Sequence, residues 1–171
     1  ATSIRQPVNK FDGYTAYLPF FGDTEKFYPH LQRAMKELQT HRVGLPTQIL
    51  SDTKTELPRS PQIRFEPDEK LIRREHMTGR AFDLKAALVV ALLESRPEHS
   101  PIVLDIDNFI RRDFSDVLDN IPHSASIAMP PSPQEPYSKP IVVPSSRWGG
   151  VNEPVPEHTR SFMVFKGRRL G

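Results

Sequence analysis

Two aspartates stand one residue apart at the end of an apolar run, Pro101-Ile102-Val103-Leu104-Asp105-Ile106-Asp107. The run reads as a buried strand whose first charge arrives at its last residue. In extended backbone alternate side chains share a face, which turns Asp105 and Asp107 toward one crevice. Two facing carboxylates repel unless one is protonated or a cation lies between them. A hard divalent ion with oxygen ligands, Mg2+ or Mn2+, meets that demand and bridges to phosphate oxygens. The plainer alternative is that one aspartate caps the next turn and the other is solvated.

Other chemistries find little support. The absence of cysteine excludes disulfides, thiolate zinc sites and a cysteine nucleophile, leaving oxygen or imidazole for any metal. His30, His41, His76, His99, His123 and His158 are scattered, with no metal-ligand spacing. Ser124 and Ser126 lack the glycines of a nucleophile elbow, and neither a P-loop nor a G-x-G-x-x-G is present. Lysine and arginine number 23 against 21 acids, a net charge of +2 that predicts no specific nucleic-acid binding. The longest apolar run, Ala86 to Leu93, is far short of a membrane span, and ATSIRQPVNK has no apolar signal-peptide core. A soluble chain is expected, its compartment unknown.

The elements that must hold the two acids follow from patterning. Tyr14–Phe21 is an aromatic and apolar run closed by Gly22-Asp23, a buried strand and its turn. Thr24 is a candidate cap for a helix over Glu25–Thr40, where Phe27, Leu31, Met35 (or Ala34) and Leu38 follow helical spacing. A second strand, TQILSD, ends at Asp52 and completes a β-α-β unit with parallel strands. Gln62–Phe65 is a short strand candidate. A helix is predicted over Phe82–Ser95, burying Leu84, Ala87, Leu88, Ala91 and Leu92. Beyond it, nine of the eighteen prolines fall between Pro122 and Pro156, forbidding a long helix there. Short strands remain possible at Ser126–Met129 and Pro140–Val143, and Trp148-Gly149-Gly150 reads as an aromatic turn. Residues 1–13 are expected to be an extension and 14–171 one domain, an α/β fold whose mainly parallel sheet gathers ligands at its carboxyl edge.

The segment FDLKAALVVALLESRPEHSPIVLDIDNFIRRDFSDVLDNI, with YTAYLPFFGDTEKFYPHLQRAMKELQ before it and HTRSFMVFKG after it, resembles glycosyltransferases of the GT-A fold, particularly glycogenin-like and fungal mannosyltransferase-like groups. The resemblance covers about residues 14–166. It implies a Rossmann-like GT-A fold, truncated relative to members that continue further, and a nucleotide-sugar donor, UDP- or GDP-linked, held through Mn2+ or Mg2+. Asp105 and Asp107 would be its D-x-D acids: Asp107 the more direct metal ligand, Asp105 shared with the donor ribose. Lys85 matches the family's lysine near the donor. Phe20, Phe21 and Asp23 occupy the loop where such enzymes hold the base, and Arg80 becomes a diphosphate partner. The family's small-residue N-x-G-V-M pattern is replaced by Arg160-Ser161-Phe162-Met163, which implies bulk where the sugar approaches.

Two functions follow. One is metal-dependent sugar transfer, with no catalytic base or nucleophile identifiable. The other is a catalytically degenerate GT-A-like domain serving as a structural subunit of a larger assembly. The second expects the D-x-D crevice to be filled by its own side chains, or salt-bridged to Arg111, Arg112 or Lys85. A third, a phosphatase of the haloacid-dehalogenase-like kind using Asp105 as nucleophile, suits the strand end but not Phe109, where that family has Thr or Val.

Overall fold

The computed structural model describes residues 13–41, 45–57, 64–78, 81–122, 124–129, 141–142, 154–155 and 162–167. Its main sheet has six strands: β1 (Tyr14–Pro19), β2 (Thr47–Leu50), β3 (Arg64–Phe65), β4 (Ser100–Leu104), β5 (Ile127–Ala128) and β8 (Phe162–Phe165), in the order β3-β2-β1-β4-β8-β5. The first four in that order run parallel, Ala16 pairing with Thr47 on one side and Ile102 on the other. β8 lies antiparallel to both β4 and β5. A separate ribbon pairs β6 (Ile141–Val142) with β7 (Pro154–Val155). The mixed α/β sheet agrees with the expected class, and the β-α-β unit is parallel as predicted.

Strand alternation sorts the core into two layers. Ala16, Leu18 and Phe20 pack with Ile49, Ile102, Leu104 and Val164 beneath helix α1 (Thr24–His41), which contributes Leu31, Ala34 and Leu38. Tyr17, Leu50, Val103 and Met163 pack on the other face with Leu88, Val89, Ala91 and Leu92 of helix α2 (Ala81–Ser95). Each helix therefore covers one face of the sheet, the arrangement that parallel strands buried on both sides require.

Local differences from the sequence reading have specific causes. β1 stops at Pro19, although the Phe20 N–H still donates to the Leu50 carbonyl at 3.0 Å. Gly22, at φ +81°, supplies the left-handed turn that a side chain resists. Asp23, not Thr24, caps α1: its Oδ1 accepts the Lys26 N–H at 3.1 Å, while the Thr24 hydroxyl donates to the Glu56 carbonyl. Phe27 is 39% exposed instead of joining the buried stripe, and Met35 is only half-buried. In α2 Lys85 and Val89 are buried, whereas Leu84 and Ala87 are half-buried. A short helix, α3 (Ser115–Asp119), follows β4. Trp148 and the rest of the proline-rich stretch, apart from its described strands and residues 122 and 124–129, lie outside the described residues.

Candidate functional site

The strand order reverses at β1: the chain moves outward through β2 and β3, then returns to place β4 on β1's other side. The loops leaving β1 and β4 diverge there, opening a crevice at the carboxyl edge, the usual ligand position in open parallel sheets. A cavity of about 340 Å³ occupies this place, with Phe20 and Phe21 from the β1 loop, Asp105 and Asp107 from the β4 loop, and Lys85 from α2 among its lining. Three separate stretches of the sequence reading thus meet at one point.

Lys85, buried on α2, places its Nζ 2.6 Å from Asp105 Oδ1. Their side chains are 10% and 30% exposed, so the pair is partly desolvated and its attraction is stronger than on an open surface. Asp107 is exposed, with no ion-pair partner among the described residues. The two acids do share a cavity, but not through extended backbone. The Asn108 N–H donates to the Asp105 carbonyl at 3.1 Å, making residues 105–108 a turn with Asp107 near its apex. The turn forms because β4 has left the sheet by Asp105 and its carbonyl needs a donor.

Among the described residues no group of three or more histidines and carboxylates is arranged to hold a metal. Two carboxylates, one already paired with an ammonium, do not make an all-protein cage. They could supply at most one or two ligands to a divalent ion whose remaining shell comes from elsewhere.

Other candidates are placed as follows. Asp23 is engaged as the α1 cap and is not part of the cavity lining. Arg80 lies outside the described residues, as do His123 and His158. Arg112 turns to Asp116 at 3.0 Å, and Arg111 lies over the Phe109 ring at 5.9 Å, so neither neutralises the acid pair. Of the conditions expected of a structural subunit, the Lys85 salt bridge is therefore met, while the crevice stays open. Phe162 stacks edge-on against Phe114 at 5.3 Å and Met163 is buried under α2, so the bulk of the last strand faces the core rather than the cavity.

Among the lining residues that the sequence reading did not assign to the site are Phe27 and His30, whose rings lie 6.1 Å apart on one edge of α1. The available signal was position: α1 begins just past the β1 loop, so residues three apart in its first turns share the face nearest the crevice. Asp52, at the carboxyl end of β2, is a buried acid outside this cavity. Burial alone raises its carboxyl, but hydrogen bonds from Thr55 and Arg74, with the Arg74 charge, prevail and hold it below the usual carboxylate value. Arg74, 2.6 Å from Asp52 and also paired with Glu69, fastens the segment after β3 to the sheet. No helix among the described residues is long and apolar enough to cross a membrane. No protein-family model matches the chain, and no curated protein matches it.

Proposed function

We propose that the crevice is the donor site of a GT-A-like glycosyltransferase domain, binding a UDP- or GDP-sugar together with Mn2+ or Mg2+. The observation that carries this reading is the convergence of Asp105, Asp107, Lys85 and two phenylalanine rings in one cavity where the strand order reverses. Phe21 and Phe27 offer aromatic surface against which a base packs, with Phe20 buried behind them in the core. Asp107, exposed at the turn, is the acid most available to a metal, and Asp105 reaches the same space. Lys85 is the group that meets the diphosphate, exchanging the Asp105 carboxylate for a phosphate oxygen. A bound divalent ion would neutralise charge on the departing diphosphate, the main electrostatic demand of the transfer.

Calorimetric titration of Mn2+ with UDP or GDP into the full chain tests this. The expected result is binding that needs metal and nucleotide together and is abolished by Asp107→Ala. Absence of binding in a folded chain refutes the donor reading. It would favour the second reading, a degenerate GT-A-like domain within a protein assembly. The observation on its side is the Lys85–Asp105 pair, which satisfies the half-buried acid with no ligand at all.

A further inference from the structure

The turn that carries the two acids is held from outside itself. Arg33, on α1, donates from Nη2 to the Ile106 carbonyl at 2.7 Å and from Nη1 to the Asn108 carbonyl at 2.9 Å. These two carbonyls bracket Asp107. Glu37, one turn further along α1 and 3.1 Å from Arg33, accepts the Ile110 N–H at 2.9 Å. The same guanidinium lies 3.9 Å from the centre of the Phe109 ring, covering part of an aromatic side chain that is otherwise 63% exposed.

We propose that Arg33 and Glu37 are positioning residues that hold the 106–110 loop in the conformation presenting Asp105 and Asp107 to the cavity; the proposal rests on the donor-site reading above. An isolated i,i+4 ion pair at this exposure contributes little. This pair instead satisfies three backbone groups in a segment without helix or strand to satisfy them, and unpaired backbone groups turn to water or to another conformation. Arginine suits the task because its planar fork reaches two carbonyls at once, which a lysine ammonium does not reproduce with the same geometry. No contact of the pair depends on the identity of Asp107. It sets where the backbone at Asp107 lies, leaving the carboxylate free to face the crevice.

The test compares the 171-residue wild-type chain with Arg33→Met, Arg33→Lys and Glu37→Gln. Amide hydrogen exchange reads the loop, thermal unfolding reads the fold, and titration with Mn2+ and UDP reads the site. Expected in Arg33→Met is exchange at residues 106–110 at least tenfold faster with β4 protection unchanged, and affinity at least tenfold weaker. Glu37→Gln, which keeps an acceptor for Ile110, stays close to wild type, and Arg33→Lys falls between. If Arg33→Met fails to fold, Arg33→Lys carries the comparison. Wild-type exchange in the loop overturns the proposal, as does faster exchange with unchanged affinity. If wild type binds nothing while Arg33→Met still loosens the loop, the donor reading has failed instead, and Arg33 is reduced to a structural brace.

Discussion

Replacing Lys85 by methionine keeps the length of a buried side chain and removes its charge. The ammonium lies 2.6 Å from Asp105 Oδ1, with side-chain exposures of 10% and 30%. Breaking a fully buried pair costs about 3–5 kcal/mol, and an exposed pair is worth about 0–1 kcal/mol. Water reaches part of Asp105, so the expected loss is about 1–2 kcal/mol, a fall in Tm of roughly 2–8 °C for a chain of this size. The ligand effects have opposite signs. Like unit charges 4 Å apart repel by about 4 kcal/mol at an effective dielectric constant of 20. Removing the ammonium should tighten Mn2+ alone by tenfold or more, because even about 1.4 kcal/mol of that repulsion is a factor of ten. On the proposed donor reading, metal-free UDP should bind more weakly, because that reading has Lys85 meet its diphosphate. Calorimetry with Mn2+ alone, and with UDP in chelator, measures both. Unchanged Mn2+ affinity would refute the competition for Asp105, and unchanged UDP affinity would refute Lys85 as the diphosphate contact.

Three further outcomes follow from the packing. A Cβ on Gly167 would lie 2.5 Å from the Glu98 carbonyl oxygen and 2.6 Å from that of His99, both backbone atoms, whereas one on Gly22 meets nothing within 4 Å. Gly167→Ala should therefore cost more in urea unfolding than Gly22→Ala, whose loss is only the φ penalty of about 1–2 kcal/mol; the reverse order would contradict the packing. Asp52, held below the usual carboxylate value, contributes stability that is present above an unfolded value of about 4 and lost as pH falls through the folded one. Asp52→Asn should be less stable than wild type at pH 7 and lose less on acidification, and parallel pH profiles would count against this. Burial, then the Arg96 charge, hold His99 below its ordinary value, so its neutral form is favoured in the fold and its contribution falls as pH drops below about 6.5. His99→Gln should flatten stability between pH 6.5 and 5, and an unaltered slope there would refute the assignment.

The strands and helices that frame the crevice were legible because their burial is periodic. Ala16, Leu18 and Phe20 alternate with Tyr17, and Leu31, Ala34 and Leu38 recur at helical spacing. The same logic misplaced Phe27, since a helix's first turn can overhang a cavity instead of the core. Lys85 was legible only as a matched position; its direction toward Asp105 depends on how α2 is seated. The turn at Asp105–Asn108 was hidden for a different reason. Its conformation is stabilised by Arg33, some 73 residues away in sequence, and local propensity carries no trace of such a contact. Asp52 reads as the end of TQILSD, while its partner Arg74 belongs to a segment without regular periodicity.

The two acids of the pair bear on function unequally. Asp105 is half-buried, so its charge needs a partner whether or not the domain binds a ligand, and Lys85 is that partner. Loss of nucleotide binding in Asp105→Ala would therefore mix the site's chemistry with the cost of taking the carboxylate away from a buried ammonium. Asp107 is exposed and its charge is solvated, so the fold gains little from it. An exposed substitution of this kind changes stability by about 0.5 kcal/mol or less. Asp107→Ala should leave Tm close to wild type, and any loss of metal-dependent binding then belongs to the missing carboxylate alone. A large fall in Tm would mean that Asp107 holds the turn together, and would move it from the ligand's side of the argument to the fold's.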